Sequence, residues 1–418
     1  MAQRYTRRTT LKALGAAGAL GSIDTASADP PERDGLRLFG EQAIDGTTEV
    51  VTQQTLAFVA TGDGLAIVDL RNPGRPELLV DTEVPGTGVN DVKVDGDLLA
   101  ISSQAGDQDE DIGTHFYDVS DPTDPEFLGT WVELPAGVHN HYLDGDVAYI
   151  CREFPFDDSA LKIVDASDPT DPTLLSEWRV ENDHPELDQP TNFLHDVYVQ
   201  DDLAYLAYWD AGTRILDVSD PTDPVEVSAM GEAPDADEDV DFPSAEWVQR
   251  AFLPPGNSHY VQPTPNGDYV LQGAETFPKD AGVEDPDNDD YGGIKVFDVT
   301  DFDDPEMVTR IDPPDVDAFR TSHNFDVTAN RLYTSWYAGG VKVFDFTDPS
   351  NPEELASYRP EGSSFWTAVR GRGFTIASDI GGGIVFLHDD RGAMRAPGFD
   401  GDSVPGRGPG PDGHARPD

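Results

Sequence analysis

Residues 195–230 read HDVYVQDDLAYLAYWDAGTRILDVSDPTDPVEVSAM, and this stretch decides the fold. Four short apolar segments, VYV, LAYLAY, TRIL and VEVSAM, are separated by turn-forming residues. Their β-branched and aromatic side chains are those of short strands rather than of a helix. Between the last two segments, residues 220–224 read DPTDP. Proline fixes φ and removes a ladder donor, while each Asp carboxylate bonds the backbone ahead of it, so this is a tight turn. Strand A, a QDD turn, strand B, a loop, strand C ending in Asp217, the DPTDP turn and strand D make one antiparallel unit.

Outward from this unit, the same pattern recurs along the chain. Strands ending in Asp finish at Asp69 (LAIVD), Asp118 (THFYD), Asp165 (LKIVD), Asp298 (IKVFD) and Asp345 (VKVFD), and a degenerate copy, GIVFLH, ends at His388. The following turns are DPTDP again at residues 121–125 and 168–172, with NPGRP, DFDDP and DPSNP as variants. Hairpins such as VKVDGDLLAIS, HYLDGDVAYIC and FDVTANRLYTSW precede them. Seven units of about 50 residues fill positions 36–388. A four-stranded unit at this period predicts an all-β fold, a seven-bladed β-propeller of four-stranded blades. The last copy lacks a strand D, and GLRLFGEQAIDGT (residues 35–47) looks like one. The N-terminal strand is therefore expected to complete the last blade, leaving no open edge.

The Ile67-Val68-Asp69 and Ile163-Val164-Asp165 copies, with the DP-x-x-P turns beside them, resemble the LVIVD-repeat family, of the secreted haloarchaeal type. The resemblance covers nearly all of the chain after its leader. It implies a propeller and says little about activity.

With 81 Asp+Glu against 27 Lys+Arg, the formal charge is −54, which excludes a nucleic-acid partner by electrostatics alone. Disorder is the other common cause of such acidity, but disordered chains lack regular apolar segments such as VAYIC. A folded protein adapted to high salt, where carboxylate repulsion is screened, is the expectation. Residues 1–28 read as a twin-arginine signal peptide: TRRTTLK at residues 6–12, an Ala/Gly/Leu run, and Ala26-Ser27-Ala28 as the cleavage site. Residues 29–390 form one propeller domain, and residues 391–418 an acidic Gly/Pro-rich disordered tail. No later stretch is long and apolar enough to span a membrane. The single cysteine, Cys151, reads as a small buried residue and forms no intrachain disulfide. An extracellular or cell-surface monomer follows, with a protein, glycan or small ligand as its partner.

Antiparallel order puts the A–B and C–D turns on one face, the turn face. The B–C and D–A connections fall on the other, the loop face, and there the insertions gather: residues 106–113, 154–160, 232–255 and 277–292. Long loops on a rigid scaffold are where binding surfaces are built. Aligning the hairpins places Thr48, Asn90, His139, His195, His259, His323 and Phe365 at the loop-face start of strand A. Four imidazoles from consecutive blades would line one arc of the axis, where neutral imidazole could hold Zn, Cu, Fe or Ni. His141, two residues after His139, is expected on the same strand face and is a fifth candidate ligand. The ends of strand B bring Gln104, Glu153, Trp209 with Asp210, Glu275, Tyr337 and Asp379 close to this ring as candidate ligand-binding residues, with Asn90. Asp285, Asp287 and Asp289 have the alternating oxygens that calcium favours, but the Gly and Glu of a calcium loop are missing.

No nucleophile elbow, phosphate loop, H-E-x-x-H or paired C-x-x-C is present, so no catalytic residue is assigned. The expected function is a binding or interaction scaffold working through the loop face. The alternative is a metalloenzyme, an oxidoreductase among the options, with a transition metal on the axial histidines.

Overall fold

The apolar segments pair as their turns require. The computed structural model describes residues 35–106 and 111–389, in seven four-stranded antiparallel sheets, each ordered A-B-C-D. Blade 1 comprises Thr47–Gln53, Leu56–Thr61, Gly64–Asp69 and Glu77–Glu83; blade 2, Thr87–Asp95, Leu98–Ala105, Gly113–Asp118 and Glu126–Val132. Blade 3 runs His141–Asp144, Val147–Arg152, Ala160–Asp165 and Thr173–Trp178; blade 4, Asp196–Gln200, Leu203–Ala207, Thr213–Asp217 and Val225–Met230. Blade 5 is Ser258–Pro263, Tyr269–Ala274, Ile294–Asp298 and Glu306–Ile311; blade 6, Phe325–Val327, Arg331–Ser335, Val341–Asp345 and Glu353–Tyr358. Blade 7 has Phe365–Arg370, Thr375–Asp379 and Gly383–Asp389, and its outer strand is Leu36–Gln42, from the other end of the chain. The pairing of Leu38 with Leu387 and Glu41 with Val385 closes the ring as expected. Residues 1–34, 107–110 and 390–418, and with them the expected signal peptide and tail, lie outside the described residues.

Each C–D turn is fixed by its acids. Asp217 Oδ1 accepts the Ser219 N–H at 2.9 Å, and Asp220 Oδ1 accepts both the N–H and the hydroxyl of Thr222, at 3.0 and 2.6 Å. Asp118, Asp121, Asp165 and Asp168 repeat these bonds. The same hydrogen bonds hold the carboxyls of Asp118, Asp121, Asp165, Asp217 and Asp220 below their usual range.

Past the turn, every strand D carries one extra residue at the same place: Phe39, Leu79, Leu128, Leu175, Val227, Val308 and Leu355. Such a bulge twists the outermost strand and spoils it as an edge for further pairing. The core lies between blades. One cluster joins Tyr149, Cys151 and Ile163 of blade 3 to Val197, Val199 and Leu206 of blade 4. No helix among the described residues is long and apolar enough to cross a membrane.

Candidate functional site

Strands A of neighbouring blades touch one another around the ring and so form its inner wall. Near the loop face the A–B register slips in blades 1, 2, 5 and 7, which frees Asn90, His259 and Trp366 from the alternation. A continuous arc results. Asn90 Nδ2 donates to His139 Nδ1 at 3.3 Å, and the ring centroids of His139–His195, His195–His259, His259–His323 and His323–Trp366 are 4.8, 4.2, 4.5 and 4.2 Å apart.

Two expectations need correction. The place assigned to Phe365 belongs to Trp366, because the slip between Phe365 and Thr367 moves the register by one, and Phe365 packs in the core instead. His141 is not in the arc. Strand A of blade 3 begins at His141, so its alternation does not extend back to His139. The His141 ring lies against Ser102 Oγ at 2.8 Å and Asp91 Oδ2 at 3.2 Å.

Strand B ends supply the next groups. Glu275 Oε2 is 3.3 Å from His259 Nε2 and Oε1 is 3.8 Å from His323 Nε2, while the Tyr337 hydroxyl donates to Oε1 at 2.5 Å. Gln104 Oε1 accepts from Asn90 Nδ2 at 3.3 Å. Trp209 and Tyr337 occupy repeat-equivalent tight turns, closed by Gly212 N–H to the Trp209 carbonyl at 3.2 Å and Gly340 N–H to the Tyr337 carbonyl at 3.1 Å. Both hold positive φ, 33° and 47°, a strained choice for bulky residues. The strain sets aromatic rings beside the arc, with Trp209 5.4 Å from His195 and Tyr337 4.8 Å from His323.

Two other candidates have different work. Asp210 turns to the Asn257 N–H at 3.4 Å and Arg250 Nε at 3.7 Å, anchoring a loop. Asp379 Oδ1 accepts the Ser364 N–H at 3.0 Å and shapes a turn. Asp287 Oδ1 likewise accepts the Asp289 N–H at 2.9 Å. Asp285, Asp287 and Asp289 do not form a set of three side chains with ligand atoms within 4.8 Å of one another.

The long loops close over the arc. Phe154, Phe156, Phe193, Trp209, Trp247, Phe252 and Phe277 form one apolar cluster, and Phe319 links it to Tyr337 with ring centroids 5.7 and 4.7 Å apart. Part of this canopy is the helix Ala245–Phe252, capped by Ser244, whose Oγ accepts the Trp247 N–H at 3.0 Å. Trp209 Nε1 donates to its Ala251 carbonyl at 3.1 Å. His259 and His323 are each 2% exposed and Glu275 3%, against 8% for Asn90 and 7% for His139, so cover is thickest over blades 4–6.

Burial sets the charge states. It pushes His195 and His259 well below the usual imidazole range, His323 to about 3 and His139 to about 4, leaving neutral rings. It pushes Glu275 up to about 8, against the Tyr337 bond, and Glu153 well above its usual range, with Glu275 adding to the rise. One layer further down the axis Glu49, Asp91 and Asp196 lie around Lys93, and of these the sequence reading missed Glu49 and Lys93. Burial opposes the Lys93 ammonium, but the three carboxylates outweigh it. Burial raises Glu49 to about 7 and Asp196 well above its usual range, whereas Lys93 and His141 hold Asp91 low in spite of burial. Cys151 is buried, and burial raises its thiol.

His195, His259 and Glu275 each offer a ligand atom within 4.8 Å of the other two, the only such set of three His, Cys, Asp or Glu found among the described residues. Residues 49–82, 143–179 and 194–230 match the model of the LVIVD repeat. The chain carries LVIVD repeats. Each match spans one blade, so an LVIVD repeat here is an A-B-C-D unit, seen in blades 1, 3 and 4. No curated protein matches the chain. Among solved structures, the β-propeller domain of Myceliophteria thermophila Cps50 (Swd1) is similar at 12% identity and a TM-score of 0.57, covering 84% of this chain and 98% of that one. The WD40 repeats of RRP9 are similar at 10% identity and a TM-score of 0.55, covering 86% and 100%. At these identities the likeness shows the propeller fold alone.

Proposed function

We propose that this protein is an exported, salt-adapted binding propeller that takes a small organic ligand into the axial site beneath the loop face. The observation that carries this reading is Glu153. Its carboxyl is 3% exposed, and Oε2 has no hydrogen-bond partner in the protein. A buried polar atom left unpaired costs about 1–3 kcal/mol, so the group calls for a partner from outside. Glu153 stands at the repeat position that holds Trp209, Glu275 and Tyr337 in the next three blades, and Phe154 beside it belongs to the aromatic canopy. Aromatic walls with a few placed polar groups are the usual build of a small-molecule site. The ligand that fits has an apolar body and a hydroxyl or amine that donates to Glu153, whereas a carboxylate has no proton to donate to Oε2.

Export is supported by the twin-arginine pattern of residues 1–28, and salt adaptation by the charge of −54. The test is thermal denaturation in molar salt with a matched aromatic amine, alcohol and carboxylate. Amine or alcohol at 100 times its Kd should stabilise by about 2.7 kcal/mol, and Glu153→Gln should abolish the gain. Equal stabilisation by the carboxylate, or an unaffected Glu153→Gln variant, would overturn the reading. Moving the protein to dilute buffer should lose the β-sheet circular dichroism signal; a fold indifferent to salt would remove the adaptation.

A further inference from the structure

We infer that the axis is a transition-metal site in which His195, His259 and Glu275 bind a divalent ion of the zinc, cobalt or iron(II) class, with His323 as the fourth protein group within reach. The inference does not depend on the ligand proposed for Glu153.

The ligand set is narrower than the four imidazoles the sequence suggests. His139 is held at the edge, accepting from Asn90 at Nδ1 3.3 Å away, and it lies outside the convergent set of three. The remaining groups are oriented as ligands usually are. His195 Nδ1 donates to the His259 carbonyl at 3.0 Å, and His323 Nδ1 donates to the Trp366 carbonyl at 2.6 Å. Those bonds to the backbone of the next blade fix each ring's tautomer and leave Nε2 with its lone pair free. Glu275 is steadied from behind, Tyr337 taking Oε1 while Oε2 faces His259.

His259 carries the independent sign of a missing partner. Its ring is buried, Nε2 faces Glu275, and Nδ1 has no hydrogen-bond partner at all. A neutral imidazole has one donor and one acceptor, and a buried, rigid ring normally satisfies both.

The donor set selects the class of ion. Calcium and magnesium take oxygen ligands, and copper(I) prefers thiolate or thioether, whereas two imidazoles and a carboxylate suit zinc, cobalt or iron(II). Cys151 sits in the core between blades 3 and 4, so no thiolate competes. Ligand atoms about 2.1 Å from one ion at tetrahedral angles are about 3.4 Å apart. The ligand atoms of His195, His259 and Glu275 lie within 4.8 Å of one another and must draw in to meet this. An ion held so leaves a position open toward the canopy, where a ligand could reach it.

The test uses the full chain in molar salt, stripped with chelator and titrated with Zn2+ or Co2+ alone. One ion per chain should bind, with Co2+ showing the visible absorption of low coordination. His259→Ala and the near-isosteric Glu275→Gln should each weaken binding at least 100-fold. Tyr337→Phe should weaken it several-fold and shift the Co2+ spectrum, the effect of a positioning residue. His139→Ala and His141→Ala should stay within about three-fold of the parent. Folded protein that binds no metal would overturn the proposal. So would a His139→Ala loss equal to that of His259→Ala, which would restore the four-imidazole arc. Glu153→Gln should keep its metal, so failure of the organic-ligand reading and failure of the metal reading are separable.

Discussion

The two ends of this ring are built by the same chain in the same seven passes, yet one is nearly uniform and the other differs in almost every blade. On the turn face, Asp118, Asp165 and Asp217 make the same bond to the residue two ahead, and Asp121, Asp168 and Asp220 make the same pair. On the loop face, one repeat position is Thr48, Asn90, His139, His195, His259, His323 and Trp366 in turn. The lesson is physical. A turn repeats wherever its only task is to reverse the chain, and side chains diverge where the groups facing one another across an axis have to complement each other.

The largest effect that could break this contrast is loss of the canopy. Trp209 is fully buried, stacks on Phe193 with ring centroids 4.8 Å apart and donates to Ala251. Trp209→Ala should cost about 3–5 kcal/mol in denaturant unfolding at molar salt. A cost as small as that of a turn mutation would mean the loop face is not packed as described.

The second effect is the pH dependence of the metal-free protein. Burial raises Glu49, and likewise Asp210 in spite of Arg250, from 4.5 and 3.8 to about 7. The folded state therefore binds more protons than the unfolded one, so the stability these groups contribute is complete below their unfolded values and is lost as pH rises to about 7. Glu275 extends the loss to about 8. The axial imidazoles, whose folded values are depressed, are neutral in both states above about 6.5 and add no slope there. Stability should thus fall between pH 6.5 and 8, and Glu49→Gln should flatten the fall. A rise over that interval would contradict the buried, protonated carboxyls.

The uniform face sharpens the comparison with smaller effects. Asp121→Ala, Asp168→Ala and Asp220→Ala should each cost about 1 kcal/mol and differ little, because each removes the same two bonds. Unequal costs would show that the turns are not equivalent. Smallest of all, Phe127→Ser and Met307→Ser, on bulged outer strands and 48% and 57% exposed, should change stability by at most about 0.5 kcal/mol.

The reading of the sequence reached the blade count, the closure by Leu36–Gln42 and the sorting of turns and loops between the two faces. It also brought His195, His259, His323, Glu275 and Tyr337 into one neighbourhood. It failed where a single extra residue matters. The slip beside Trp366 and the late start of strand A at His141 both defeat a count by twos, since one residue moves a side chain to the other face. Phe193 and Phe319 were missed because their loops carry no period. Lys93 and Glu49 were missed because a charged residue in so acidic a chain reads as surface until its burial is known.

Strand length, turn chemistry and the period of the repeat are local properties of the chain, and the sequence by itself determined them and therefore the ring. Which imidazoles converge on Glu275, which oxygen of Glu153 is left unpaired and which carboxyls stay protonated depend on distances and burial between blades far apart in sequence. Only the closed tertiary structure decided those, because ligand contact, hydrogen bonding and desolvation act over a few ångströms, while position in the chain places a side chain no more finely than its strand and blade.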